Sequence, residues 1–388
     1  MLAPVSRGMA LAFVPLAILA AASGNAADPA FGTPEELGAA FFFDTALSMN
    51  RTQACATCHD PATGFADARG EGVAGAVSLG DDGESLGDRN APTASYAMYS
   101  PGFHYDEQAA RWKGGQFLDG READLTGQAG GPPLNPIEMG MPDKASVVAR
   151  LRENPDYVAS MQALFGDDLF DDTERAYAAM TGSLASFERT EEFAPFDSKY
   201  DRYLRGEAKL TDQEELGRVL FFSEQFTNCN LCHQLGRSQI DPQETFSNYE
   251  YHNIGVPENA ALRAINGVAA DFVDTGLLMN PAVSDPAEAG RFKVPTLRNV
   301  AVTGPYMHNG VFSDLRTVIL FYDKYNSRNE ARQINPETGA AWGPPEVDGT
   351  LSMKELETGP ALDDQRVDAL VAFLKTLTDA RYEDMIAP

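Results

Sequence analysis

The stretches ACATCHD (residues 54–60) and NCNLCHQ (residues 228–234) decide the fold of this 388-residue chain. Each contains the pattern Cys-x-x-Cys-His, and together they use all four cysteines of the sequence. No cysteine is therefore left for a structural disulfide. Paired cysteines at this spacing serve three kinds of chemistry: a thiol/disulfide redox pair, half of a zinc site, or covalent attachment of a c-type haem.

The histidine after the second cysteine favours the haem. A redox pair does not require it, and one zinc site built from both pairs would join segments more than 160 residues apart. In haem attachment the two thiols add to the two vinyl groups, and the adjacent imidazole becomes the proximal iron ligand. We therefore predict two covalent haems. Their attachment and ligand residues would be Cys55, Cys58 and His59 for the first haem, and Cys229, Cys232 and His233 for the second.

The N-terminus has the pattern of a secretory signal. Arg7 precedes an apolar run over residues 9–22, and small residues at positions 24–27 suit cleavage. The run is too short to span a bilayer comfortably. We predict a signal peptide at residues 1–26 and a mature periplasmic protein with no membrane segment. The formal net charge of -27 argues against nucleic acid and anionic membranes as partners.

An internal repeat surrounds the two haem motifs. TPEELGAAFFFD (residues 33–44) precedes the first, and TDQEELGRVLFFSE (residues 211–224) precedes the second. Each begins with threonine and has glutamate three residues later, which indicates a capping box at a helix start. TGSLASFERTEE (residues 181–192) and DALVAFLKTLTD (residues 368–379) form a second similar pair. The alternative is that these are unrelated amphipathic helices.

This repeat predicts the architecture, because small cytochrome c folds pair an N-terminal with a C-terminal helix around the haem. We expect a mainly α protein with two tandem cytochrome c-like domains, at residues 27–193 and 194–388. Gly- and Pro-rich stretches between the motifs are expected to form long ordered loops around the haem pockets.

Five further strings narrow the assignment. They are GDRNAPT (87–93), GGQFLDGR (114–121), NPIEM (135–139), FKVPTLRNVAVTGPYMHNGVF (292–312) and LRTVILFYDKY (315–325). They resemble the di-haem cytochrome c peroxidase/MauG family, above all its MauG branch, over nearly the whole mature chain. The resemblance implies an oxidase that uses hydrogen peroxide to oxidise tryptophans of the methylamine dehydrogenase precursor. It would complete the tryptophan tryptophylquinone cofactor through a bis-Fe(IV) state.

Tyr322 separates the MauG branch from ordinary peroxidases. In the peroxidases, the helix after the PY-x-H-x-G loop carries a methionine seven residues beyond its leucine, and that methionine ligates the electron-transfer haem. Counting seven from Leu315 gives Tyr322, as in the MauG branch. The resemblance thus implies His233 and Tyr322 as ligands of the second haem, and a hard phenolate favours high-valent iron. Without the resemblance, Tyr322 would be interpreted as a core residue.

The resemblance also implies residues around the first haem. Its open side would be faced by Gln128, Pro132 and Glu138. Glu138 would move the peroxide proton from one oxygen to the other, as general acid-base catalysis requires. A calcium ion is expected between the domains. Its protein ligands would be Asn90, Ser284 and Pro286. The remaining histidines are expected to be structural; they are His104, His252 and His308.

Two positions depart from the MauG branch. Leu118 replaces a tryptophan between the haems, and Thr227 replaces a surface tryptophan before the second motif. Neither side chain can relay an electron by being oxidised. Trp112, six residues before Leu118, is a possible substitute.

Two other functions stay open from the sequence. A di-haem peroxidase would reduce hydrogen peroxide with electrons from a small redox protein, either a cytochrome or a copper protein. A non-enzymatic electron carrier would hold two six-coordinate haems that do not react with peroxide.

Overall fold

The computed structural model describes residues 29–70, 75–236, 238, 240–357 and 359–386. The predicted signal peptide lies outside these residues. The described part is mainly helical, as predicted, and short 3-10 helices and ordered loops join the longer helices. No helix in this part of the chain is both long and apolar enough to cross a bilayer.

In the described residues, the strands form two small antiparallel sheets of two strands each, and α-helices make up most of the regular structure. The α-helices are α1 (Pro34–Phe42), α2 (Cys55–Cys58), α3 (Leu125–Ala129), α4 (Lys144–Arg152), α5 (Pro155–Phe165), α6 (Thr173–Phe187), α7 (Lys199–Leu204), α8 (Asp212–Phe221), α9 (Ala260–Arg263), α10 (Leu315–Asp323), α11 (Met353–Leu356) and α12 (Asp364–Lys375). The paired strands are β1 (His104–Asp106) with β2 (Arg111–Lys113), and β3 (Tyr251–His252) with β4 (Phe292–Lys293).

The repeated segments form two equivalent helix crossings. Helix α1 crosses α6, and α8 crosses α12. A glycine lies at each crossing: a Cβ on Gly38 would lie 2.0 Å from the Ser183 carbonyl oxygen, and one on Gly217 would lie 1.9 Å from that of Ala369. These distances are far below van der Waals contact. The Leu-Gly pair shared by the two repeats therefore has the same packing role in both halves.

Both predicted helix starts are capped by the expected threonine. Thr211 accepts from the Glu214 backbone N–H, and the Glu214 carboxylate accepts in return from the Thr211 N–H, which completes a capping box. Thr33 likewise accepts from the Glu36 N–H at 3.2 Å. The Glu36 carboxylate, however, accepts from Gly32, one residue earlier than the pattern predicts.

The two largest clusters of buried apolar side chains among the described residues lie one in each half of the chain. The first cluster draws on residues 37–193, and the second on residues 200–377. In each cluster, edge-to-face aromatic contacts join the first repeat helix to the last one and to the chain after the haem motif. The aromatic residues concerned are Phe42, Phe65 and Phe187 in the first cluster, and Phe221, Phe222, Phe246 and Phe373 in the second.

Hydrogen-bonded polar groups join the two halves of the chain. The Tyr96 hydroxyl donates to Asp379 at 2.6 Å, and the guanidinium of Arg89 donates to both oxygens of Asp274 at 2.6 and 2.7 Å. Arg89 also pairs with Asp119 at 2.7 Å. All three carboxylates are almost fully buried. Because removing one partner would leave a buried charge unpaired, these contacts favour a single arrangement of the halves.

Candidate haem sites

The first haem motif forms the short helix α2 and the residue that follows it. The His59 backbone N–H donates to the Cys55 carbonyl at 2.9 Å, so His59 closes the turn that carries both cysteines. His59 Nδ1 lies 3.2 Å from the Phe65 carbonyl oxygen. A carbonyl can only accept, so Nδ1 carries the proton and the Nε2 lone pair is free.

The second motif repeats this arrangement. His233 Nδ1 lies 3.1 Å from the Phe246 carbonyl oxygen, and its backbone N–H donates to Cys229 at 2.8 Å. Phe65 and Phe246 share a left-handed backbone, with φ of 55° and 56°. Such a hydrogen bond fixes the tautomer and the ring orientation of a metal-binding histidine.

Burial keeps both imidazoles neutral. It lowers the pKa of His59, and it lowers the pKa of His233 to about 4. Only the neutral ring can donate a lone pair to a metal. The two histidines therefore fit the role of iron ligands.

The thiols do not fit the other two chemistries. Burial raises the pKa of Cys55 to about 12, and burial raises the pKa of Cys58 and of Cys229 to about 11. A redox cysteine reacts as an accessible thiolate, which these values oppose. All four cysteines are free of disulfides, and within the described residues no three His, Cys, Asp or Glu side chains form a metal-binding group.

A cavity of about 370 Å³ adjoins the second motif. Cys229, Cys232, His233 and Tyr322 all contribute to its wall, and most of its other lining residues are apolar. Tyr322 lies in α10, whose buried face packs in the second core. Burial and the neighbouring thiols of Cys232 and Cys229 raise the pKa of the Tyr322 phenol. The structure thus brings Tyr322 and His233 to one cavity, and these two side chains have the donor atoms that would hold a haem there.

The predicted peroxide-binding residues lie on one folded loop. Gln128 belongs to α3, Pro132 begins a 3-10 helix (Pro132–Leu134), and Glu138 follows. The Met139 N–H donates back to the Pro132 carbonyl at 3.3 Å, which closes the loop. Burial raises the pKa of Glu138, partly opposed by Arg121 and a hydrogen bond from Asn135. Glu138 also raises the pKa of Cys58, so this carboxyl lies on the side of the first haem motif.

The chain between these two sites contains Leu118. Phe117 and Leu118 both line the cavity of the second motif. A Cβ built on Gly131, in the loop of the first site, would lie 3.4 Å from the Phe117 ring. This segment is therefore in contact with both sites. Thr227 also lines the cavity, whereas Trp112 lies outside it, stacked on Phe103 with ring centroids 4.8 Å apart.

The three predicted calcium ligands do not all line the cavity of the second motif. Asn90 lines the cavity, donates its backbone N–H to the His308 carbonyl at 2.7 Å, and donates its amide to Ala76 at 3.0 Å. Ser284 and Pro286 lie on an exposed turn and are not part of the cavity wall. A calcium ion at this set stays a prediction.

The three remaining histidines have protein partners. His104 is exposed and bonds the Gly102 carbonyl at 2.7 Å, and His308 stacks on Phe292 with centroids 3.7 Å apart. Burial would lower the pKa of His252, but hydrogen bonds to Cys232 and Glu250 outweigh it and raise this pKa to about 9. These contacts agree with the predicted structural roles, although His252 and His308 also line the cavity.

Sequence reasoning missed two ionisable groups beside the sites, one partly buried and one buried. Lys293 lines the cavity of the second motif. Glu188 lies close enough to Cys55 to raise the pKa of its thiol, and burial raises the pKa of Glu188 itself to about 8. The repeat could have identified Glu188: it follows Phe187 as Leu374 follows Phe373, so a carboxyl stands where the second half has an apolar residue.

Comparison with known proteins agrees with this geometry. The sequence model of the di-haem cytochrome c peroxidase family matches residues 33–209. The chain is 58% identical over 375 residues to the methylamine utilization protein MauG of Paracoccus denitrificans, covering 96% of each protein. It is 30% identical over 298 residues to the cytochrome c peroxidase Ccp of Escherichia coli, covering 76% of this chain and 54% of that protein.

Solved structures of di-haem peroxidases and MauG-like proteins are also similar to this chain. The diheme peroxidase BthA from Burkholderia thailandensis superposes with a TM-score of 0.79 at 33% identity, covering 92% of this chain and 88% of that one. A MauG-like protein associated with microbial copper homeostasis superposes with a TM-score of 0.64 at 31% identity, covering 89% of each chain. The predictions of a haem enzyme and of its family are confirmed. The chain belongs to the di-haem cytochrome c peroxidase/MauG family and is a haem-dependent oxidoreductase.

Proposed function

We propose that this chain is a periplasmic di-haem oxidase that uses hydrogen peroxide to oxidise tryptophans of the methylamine dehydrogenase precursor. The product would be the tryptophan tryptophylquinone cofactor. The observation that carries the proposal is the shared cavity of His233 and Tyr322, because a phenol in the sixth position distinguishes this branch. The 58% identity to a methylamine utilization protein over 96% of the chain supports it.

The haems would be covalently attached, the first through Cys55 and Cys58 and the second through Cys229 and Cys232. Bound haem supplies iron that accepts the oxidising equivalents of peroxide. The protein then has to position the peroxide and move its proton. Glu138 is suited to this, because burial raises its pKa and so favours a carboxyl that holds a proton. Gln128 and Pro132 would restrict the space around it.

Tyr322 has to lose its proton in order to bind iron. Burial raises the phenol pKa, so the phenolate would not form in this cavity by itself. A cation reverses this preference, because a directly bound metal stabilises the deprotonated form of its ligand. The anionic ligand is thus expected only when the haem iron is in place.

The proposal also includes two domains, a signal peptide and a calcium ion. The two hydrophobic clusters support two tandem haem domains, at residues 27–193 and 194–388. A signal peptide at residues 1–26 would direct the chain to the periplasm. A calcium ion would lie between the domains, with Asn90, Ser284 and Pro286 as its predicted protein ligands.

Replacement of Tyr322 by phenylalanine tests the function. The Tyr322→Phe variant should keep both haems, since attachment needs only the cysteines. It should lose the long-lived spectrum that follows one equivalent of peroxide and should fail to oxidise the precursor. Tyr325→Phe is the matched control, because that hydroxyl donates to the Ile254 carbonyl at 3.0 Å and does not line the cavity. An unchanged peroxide spectrum in Tyr322→Phe would refute the ligand assignment.

Leu118 in the cavity wall favours one second candidate, a peroxidase that takes electrons from a small redox protein. A leucine cannot relay electrons between the two haems, and several relatives near 30% identity are cytochrome c peroxidases. The two functions differ in turnover. Rapid, repeated oxidation of a reduced small cytochrome, with no change in any side chain of the precursor, would support the peroxidase.

A further inference from the structure

Lys293 is a partly buried lysine in the wall of the cavity of the second haem motif. It lies in β4, where its backbone pairs with Tyr251, and its N–H donates to the Leu118 carbonyl at 2.9 Å. Its ammonium donates to the Gly115 carbonyl at 2.5 Å. Lys293 thus links the wall of this cavity to the segment of residues 115–118, which lies beside both haem sites.

The charge of Lys293 lacks a full counterpart in the protein. Among the described residues that line the cavity, it is the only lysine or arginine, and it forms no salt bridge with any described carboxylate. The carboxylate of Asp119 acts on this charge, but Arg89 and Arg121 already engage it at 2.7 and 2.8 Å. Burial consequently lowers the pKa of Lys293 to about 7, only partly opposed by Asp119. A cation that is partly withdrawn from water and has one neutral hydrogen-bond partner is stabilised when an anion completes the site.

A c-type haem brings such an anion. Its two vinyl groups lie at one edge of the macrocycle and its two propionates at the opposite edge. Thioether bonds to Cys229 and Cys232 would hold the vinyl edge, and His233 and Tyr322 would occupy the two faces of the iron. The propionate edge is then the part of the haem that still needs a cationic partner.

We propose that Lys293 pairs with a propionate of the haem in this cavity and directs that edge of the macrocycle toward Leu118. The inference rests on the proposed haem attachment at the second motif. A charge-assisted hydrogen bond would compensate both buried charges. Since the Phe117–Leu118 segment also contacts the loop of the first site, the propionate edge would be the part of this haem that faces the other one.

Loss of the lysine charge should alter the haem itself. A cation near the iron favours the reduced state, so its removal should lower the reduction potential of the second haem. The propionate left without a partner would have a raised pKa, because burial disfavours its anion. The potential should then depend on pH across the neutral range, whereas the parent should show little dependence there.

Three variants of Lys293 distinguish a charge pair with the propionate from a purely structural hydrogen bond to the Gly115 carbonyl. In each, the reduction potential of the second haem is measured by spectroelectrochemical titration of the purified di-haem protein between pH 5 and 9. Lys293→Gln keeps a donor for the Gly115 carbonyl but removes the charge, Lys293→Met removes both, and Lys293→Arg keeps the charge. We expect Gln and Met to lower the potential of the second haem and make it pH-dependent, and Arg to resemble the parent. Lys199→Gln is the control, because that lysine pairs with Glu214 outside the cavity and should change nothing.

The proposal is overturned if the second haem of Lys293→Gln has the reduction potential and pH dependence of the parent. The hydrogen bond to the Gly115 carbonyl would then be the only role of the Lys293 side chain. If Lys293→Met does not fold, the comparison of Gln with Arg still decides. Haem content by pyridine haemochrome confirms that both haems remain in each variant. Failure of the parent to oxidise the precursor would refute the proposed function but would leave this comparison of potentials intact.

Discussion

Replacing Gly217 by alanine should destabilise the second half of the protein, although alanine is the better helix former. The added Cβ would lie 1.9 Å from the Ala369 carbonyl oxygen and 2.8 Å from the Phe373 Cβ. Neither atom can rotate away, so α8 and α12 have to separate. Overpacking costs about 1–3 kcal/mol, and a backbone overlap this deep belongs near the upper limit.

The helix propensity of alanine offsets about 1 kcal/mol of this cost. The net loss is therefore about 2 kcal/mol, which corresponds to a fall of roughly 4–8 °C in the unfolding temperature of a half this size. The assay is thermal unfolding of the di-haem protein by far-ultraviolet circular dichroism. The Soret absorbance of the second haem, followed in parallel, should change in the same transition.

Gly182→Ala provides the matched control. Gly182 lies in α6, and a Cβ built there meets no atom within 4 Å. This substitution should stabilise the protein by about 0.5–1 kcal/mol, because only the backbone entropy of the unfolded chain changes. If Gly217→Ala unfolds at or above the temperature of the parent, the close crossing of α8 and α12 is refuted.

Two further predictions concern buried carboxyls near the first haem. Glu138→Gln should keep both haems but slow the reaction with peroxide by about 10²–10⁴-fold in stopped-flow measurements, because the proton carrier is lost. For Glu188, burial raises the folded pKa from 4.5 to about 8, so the folded state holds the proton more tightly than the unfolded state. The parent should therefore lose stability as the pH rises from 5 to 9, by on the order of 4 kcal/mol in denaturant titrations, and Glu188→Gln should remove that dependence.

The predictions for Glu138 and Glu188 can each be contradicted by one result. A peroxide reaction of normal rate in Glu138→Gln would exclude this carboxyl from proton transfer. Equal pH profiles of stability in Glu188→Gln and the parent would show that Glu188 ionises as freely in the folded state as in the unfolded chain. Glu153→Gln, at an exposed carboxylate that pairs with Arg51, should leave both properties unchanged.

Much of the candidate site could be predicted from the sequence because it is encoded locally. In Cys-x-x-Cys-His, one turn of chain carries both cysteines and the histidine, whatever the rest of the fold does. Thr33 and Thr211 cap their helices because the partner N–H groups lie three residues away. Tyr322 could be located by counting from Leu315, since both residues lie in the continuous helix α10.

Contacts between distant segments needed the structure. The carbonyls that orient His59 and His233 come from Phe65 and Phe246, at different spacings of 6 and 13 residues. Both depend on left-handed backbone at a phenylalanine, which no sequence pattern indicates. The calcium prediction has the same weakness, because backbone carbonyls would supply most of its ligands and side-chain identity says little about them.

The sequence by itself thus determined the two haem motifs, the helical repeat and the family, because each is written in residues within a few turns of one another. Only the tertiary structure decided what surrounds the haems. Lys293 meets the Gly115 carbonyl across 178 residues, and Glu138 approaches Cys58 through a loop folded back on itself. Such contacts, and the pKa values that follow from them, arise when packing removes charged groups from water, and burial of this kind is a property of the whole fold.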